Sequence, residues 1–116
     1  MTRNAITGQH GARTLHGLED FLYHAAEAEW ALGERHKVQA KVADMMAESL
    51  AVRLGESLHR VSGEFIADHP EANLAAIIGV RNVVAHGYGI VAHEQLWASY
   101  ARELPAVIQT VQALIT

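Results

Sequence analysis

Apolar residues recur at helical spacing along most of this chain, and the recurrences divide it into four segments. Leu15, Leu18, Leu22, Ala25 and Leu32 mark one face of a helix, and Gly33 follows as a stop, so the pattern predicts a helix over 14–32. Before it, residues 1–12 are small and polar, with Gly8 and Gly11, and read as a flexible arm. The longest stripe runs through Val42, Met46, Leu50, Leu54, Leu58, Val61 and Phe65, widened by Met45 and Val52. It predicts a helix over 36–68 that ends before Pro70. Gly55 and Gly63 interrupt it, each at about 1 kcal/mol relative to alanine. Gly55 reads either as the close approach of another helix or as a bend.

Asn73 is placed to cap a third helix over 74–86 with Leu74, Ile77, Ile78 and Val84 on its apolar side, and Gly87 stands at the C-terminal position. A fourth helix starts near His93 and carries Trp97, Tyr100, Leu104, Ile108, Val111 and Ile115. Pro105 inside that pattern predicts a kink. No strand-like alternation of useful length occurs. Four helices with short connections predict an all-α, up-down antiparallel four-helix bundle with a kinked last helix, formed by one domain over 13–116.

Composition narrows the chemistry. The 116 residues are 50% hydrophobic and 19% charged, a globular balance. The absence of cysteine excludes disulfides, thiol catalysis and thiolate metal sites. The N-terminus lacks the apolar centre of a signal peptide, and no apolar stretch reaches the roughly 18 residues of a membrane span. A soluble, cytoplasmic protein is expected, with no membrane partner. The net charge of −4 argues against a broad nucleic-acid surface, which is usually basic. Arg35, Lys37, Lys41, Arg53 and Arg60 could still form a local basic rim.

The segment IIGVRNVVAHGYG, residues 77–89, places Arg81, Asn82, His86 and Tyr88 at the end of an otherwise apolar helix. Arginine offers a planar, permanently charged fork that matches phosphate oxygens, and histidine shuttles protons near neutral pH. Together they suit cleavage of a phosphodiester by its own neighbouring 2′-hydroxyl, without a metal or other cofactor. Taken singly, an arginine or histidine near a helix C-terminus is more often a cap or a solvated charge. Five residues on a helix also turn about 140°, so Arg81 and His86 do not share a face. Either the helix loosens before Gly87, or a second copy of the chain completes the site. Glu56 is a secondary candidate whose carboxylate would orient His86 or pair with Arg81. Metal binding has little support, since no His-x3-His or HExxH spacing occurs among the eight histidines.

Arg81, four residues, His86, one residue and Tyr88 form a pattern that resembles the mark of the HEPN family, specifically the HepT-like toxins paired with a minimal nucleotidyltransferase. The stretch RLGESLHRVSGEF, residues 53–65, resembles the family's long second helix with its Gly-Glu pair at Gly55 and Glu56. Residues 69–82 resemble the approach to the motif, and residues 96–115 its last helix. The resemblance covers about 44–115 and is weak before that. It implies a homodimer whose two motifs face each other across a cleft. It implies metal-independent cleavage of RNA, not DNA, by Arg81 and His86, supported by Asn82. It implies a type II-like toxin–antitoxin pair in which a partner nucleotidyltransferase transfers AMP onto Tyr88. The RNA would be a tRNA or an mRNA. Two alternatives stand beside this reading: a non-catalytic HEPN subunit of a two-part nucleotidyltransferase, and a structural helical dimer.

Overall fold

The computed structural model describes residues 2–85 and 93–116, the side chains of residues 83–85 excepted. It contains helices α1 (Arg3–His10), α2 (Ala12–Glu34), α3 (Ala40–His59), α4 (Gly63–Asp68), α5 (Leu74–Ala85), α6 (His93–Arg102) and α7 (Leu104–Ile115). Two short 3-10 turns, Arg35–Lys37 and Pro70–Ala72, link α2 to α3 and α4 to α5. The described residues contain no strand. The fold is the expected all-α bundle. Its four predicted helices correspond to α2, to α3 with α4, to α5, and to α6 with α7. None of the described helices is long and apolar enough to cross a membrane.

The core follows the apolar stripes. Leu18, Phe21, Leu54, Leu58, Phe65, Trp97, Tyr100, Leu104 and Val111 are all buried in one cluster. Helices α2 and α3 run antiparallel: Gly17 meets Ser57, Glu27 meets Arg53, and Ala31 shares a groove with Met46. Glycine at 17 is what permits the first of these contacts. A Cβ there would stand 2.7 Å from the Ser57 carbonyl oxygen. Helix α6 is tied to α3 by the buried Tyr100 hydroxyl, which donates to the Ala47 carbonyl at 2.6 Å. Burial pushes that phenol's pKa well above its ordinary value.

Three elements differ from expectation. Residues 3–10, expected as part of a flexible arm, form α1 with Ile6 fully buried. Gly11, at φ 88°, turns the chain from α1 into α2. Thr14 locks this corner by donating to the His10 carbonyl and accepting from the Ser62 amide. The long helix expected over 36–68 begins at Ala40, stops at His59 and restarts at Gly63. Ser62 takes an extended conformation and its hydroxyl accepts from the Phe65 amide, which makes it an N-cap. The kink expected at Pro105 is a full break: Arg102 ends one helix and Pro105 lies in the first turn of the next. Proline suits that first turn because its missing N–H would have had no helical partner there. Asn73 precedes α5, but in the left-handed conformation (φ 56°, ψ 33°) that closes the Pro70–Ala72 turn.

Candidate active site

Helix α5 keeps α-helical form through Ala85 and carries Arg81 across α3. The stem of Arg81 lies directly over Gly55. A Cβ at position 55 would overlap the Cβ and Cγ of Arg81. Gly55 therefore marks the close approach of another helix, and α3 continues unbroken through it. The next residue, Glu56, takes the other end of the same side chain: Arg81 Nη2 donates to Glu56 Oε1 at 2.6 Å. That hydrogen bond, with the attraction of the guanidinium charge, holds the Glu56 carboxyl below its ordinary range.

The Gly-Glu pair thus acts as a unit. Glycine gives the arginine stem a slot, and glutamate catches its head. Both charged groups remain accessible, with Arg81 31% and Glu56 55% exposed along their side chains. An ion pair this open adds little to stability. Its effect is to aim the guanidinium, and one contact occupies only one of the five N–H donors that arginine carries. Of the two roles weighed for Glu56, pairing with Arg81 is the one present. Asn82 is exposed beside Arg81. His86 and Tyr88 lie outside the described residues.

The chain leaves α5 at Ala85 and enters α6 at His93, and this second end also lies against α3. The His93 ring lies between Asp44 and Glu48, with Nδ1 3.6 Å from Asp44 Oδ1 and Nε2 3.4 Å from Glu48 Oε1. Its Nε2 is shielded from solvent and makes no hydrogen bond, so the ring meets the two carboxylates through proximity of charge alone. One helix therefore holds both ends of the stretch bearing the motif. Glu56 serves as one anchor and the Asp44/Glu48 pair as the other, roughly 18 Å apart at their far points along the axis. Sequence reasoning passed over Asp44, Glu48 and His93 as site residues. The available signal was two carboxylates one turn apart on a long helix, with a histidine opening a later one.

The surface around the site is electrically quiet. Arg3, Arg35, Lys37, Arg53, Arg60 and Arg81, six of the nine lysines and arginines, lie against carboxylates. Of the expected basic rim, Arg35 meets Glu94, Lys37 meets Glu34, Arg53 meets Glu27 and Arg60 meets Asp20, while Lys41 makes no ion pair among the described residues. Charges neutralised in pairs do not make a phosphate track.

Apolar exposure is concentrated instead. Tyr23 and Trp30 stand out from α2 at 67% and 65% exposure, seven residues and so about 20° apart around the helix. Trp30 lines a groove with Met46, Leu50 and Arg53 of α3. On α3 the exposed Val42, Met45 and Val52 fall within about 80° of one another, and Glu56 lies inside the same arc. The Glu56–Arg81 pair therefore shares a face of α3 with three exposed apolar side chains, among which Ser49 also lies.

A family model described as ribonuclease HepT-like matches residues 18–114 of this chain. No curated protein and no solved structure matches it.

Proposed function

The chain belongs to the HepT-like ribonuclease family, and on that footing we propose that it cleaves RNA without a metal, as the toxin of a toxin–antitoxin pair. One observation carries the proposal: α3 builds a dedicated seat for Arg81, with a glycine under its stem and a glutamate at its head. A surface arginine with no task needs neither. In the proposed reaction the 2′-oxygen of one ribose attacks the adjacent phosphorus. His86 takes the proton from the 2′-hydroxyl, and Arg81 holds the charge that builds on the non-bridging oxygens. The bond to the 5′-oxygen breaks, that oxygen receives a proton, and the products carry a 2′,3′-cyclic phosphate and a 5′-hydroxyl.

The active form is a homodimer, in which the second His86 supplies the proton to the leaving oxygen. The exposed Val42, Met45 and Val52 on the face of α3 that carries Glu56 support this assembly, since exposed hydrophobics gathered on one face beside a site suit an interface. The off-switch is AMP transfer to Tyr88 by a partner nucleotidyltransferase. Phosphate charge and nucleoside bulk two residues from His86 would compete with RNA for Arg81.

Expression of the chain alone should arrest growth, and Arg81→Ala or His86→Ala should relieve the arrest. RNA from arrested cells should carry new 2′,3′-cyclic phosphate ends. Intact RNA pools under all three conditions would refute the ribonuclease reading. They would favour the second reading, a non-catalytic subunit that binds the nucleotidyltransferase, which the paired surface cations also suit.

A further inference from the structure

A cleft of about 230 Å³ opens where the Arg35–Lys37 turn, the start of α3 and the start of α6 meet. Arg35, His36, Ala43, Asp44, Glu94 and Trp97 are among its walls. The Arg35 guanidinium carbon lies 5.4 Å from the centroid of the Trp97 ring, within cation–π distance. Its Nη1 points to the Glu94 carboxylate at 3.3 and 3.4 Å. Trp97 is buried and the Arg35 side chain only 20% exposed, so this guanidinium is held in place. Asp44 and Glu94 bring two carboxylates, which at neutral pH only accept hydrogen bonds.

These walls define their ligand by exclusion. Two carboxylates repel a phosphate. A guanidinium seated on an indole presents a plane on which flat rings stack. A volume below the roughly 300 Å³ at which drug-sized pockets begin suits one ring system. Such walls suit a flat, uncharged aromatic with N–H donors on its edge.

We propose that this cleft is a nucleobase subsite for the RNA substrate, selective for guanine. Guanine's N1–H and exocyclic amine point the same way, so one carboxylate accepts both. Adenine and cytosine offer an amine beside an acceptor nitrogen. Uracil offers a single N–H between two carbonyls, which the carboxylates repel. Asp44 connects the cleft to the motif, because it also faces His93, where the motif-bearing stretch joins α6. The biological meaning of the subsite rests on the ribonuclease reading, but its binding chemistry does not.

The test titrates the four nucleoside 5′-monophosphates, with ribose 5-phosphate as the baseless control, into the full chain. Binding is followed by the indole N–H signals in NMR. The chain has two tryptophans, and Trp30, outside the cleft walls, is the internal reference. GMP should move the Trp97 signal and leave Trp30 in place, with a Kd in roughly the millimolar range expected for so small a ligand. It should bind about tenfold more tightly than UMP, the scale of one bidentate base contact. Asp44→Asn should erase that preference, and Arg35→Ala should abolish the Trp97 shift. Glu94→Gln, at a side chain 86% exposed and safe for folding, should weaken GMP. A Trp97 signal indifferent to GMP at about 10 mM, several times that expected Kd, would overturn the subsite. So would four nucleotides acting alike with Asp44→Asn unchanged. A chain that cuts no RNA yet binds GMP would refute the proposed function and leave the subsite standing. An active nuclease without the GMP effect would do the reverse.

Discussion

Replacing Gly55 with alanine opposes two effects of known size. Position 55 lies inside α3, where alanine is favoured over glycine by about 1 kcal/mol. Against that, the new Cβ would overlap the Cβ and Cγ of Arg81. These atoms sit next to the α5 backbone, so rotating the end of a flexible side chain does not relieve the clash. Helix α5 must move outward, and overpacking of this kind costs typically about 1–3 kcal/mol. The net destabilisation should be about 0–2 kcal/mol, a drop in Tm from nothing to roughly 10 °C. Activity should suffer far more. A shift of about 1 Å in a positioned group costs on the order of 100-fold in rate. Thermal melting and single-turnover cleavage of a labelled RNA measure the two effects separately. The expected signature is a protein that remains folded and has lost nearly all its activity. A Gly55→Ala protein stabilised by about 1 kcal/mol and fully active would show that the two helices do not approach as described.

Three further outcomes are expected. Glu56 has a lowered carboxyl pKa in the folded chain, so its charge stabilises the fold above the ordinary value of 4.5, and that contribution is lost as pH falls below it. The stability difference between wild type and Glu56→Gln should therefore be present at neutral pH and disappear in acid; a difference that grows in acid would reverse the assigned sign. Tyr100→Phe removes the buried hydroxyl that donates to Ala47 and should cost about 0.5–1.5 kcal/mol in urea unfolding; an unchanged midpoint would count against that bond. His93→Ala frees the start of α6 from Asp44 and Glu48. It should lower kcat about tenfold or more with little change in KM, as expected for lost positioning; KM rising with kcat constant would instead indicate a substrate contact.

The bundle was readable because each long helix repeats its apolar residues at helical spacing, and burial follows the repeats except at Val42, Met45 and Val52, which belong to the stripe of α3 and stay exposed. The failures share a cause. Helix α1 contributes one large apolar side chain, Ile6, and the bonds of Thr14 to His10 and Ser62 that lock it in place join residues up to 48 apart. A local pattern contains no trace of such bonds. The break at residues 60–62 was misjudged because the apolar stripe continues through Val61 and Phe65, although Ser62 before Gly63 was a cap signal in plain view. The site divides similarly. Arg81 and Glu56 were identified by residue type, and the choice between the two roles for Glu56 needed the packing of α5 on α3. The His93 clamp joins residues 45 and 49 positions apart, and only the fold brings them together.

The paired charges lead to one more expectation, which concerns salt. A protein that neutralises Z phosphates on a single strand loses affinity with a log–log slope of about −0.7Z. Here Arg35, Lys37, Arg53 and Arg60 of the rim already face carboxylates, and Arg81, whose single bond to Glu56 leaves other donors free, is the phosphate contact that the proposed reaction assigns to each protomer. In the proposed dimer, two such contacts give Z of about 2 and a slope near −1.4. Raising salt from about 50 to about 200 mM should then weaken RNA binding by about sevenfold, against the 10³–10⁵-fold of a protein with 6–10 phosphate contacts. Fluorescence anisotropy with an uncleavable 2′-O-methyl RNA measures the slope directly. A value of about −4 or steeper would mean that the carboxylates release their cations to RNA. A shallow slope means that affinity comes from elsewhere than the phosphate backbone, and the stacked, carboxylate-edged cleft at Arg35 and Trp97 is where the chain has the chemistry to supply it.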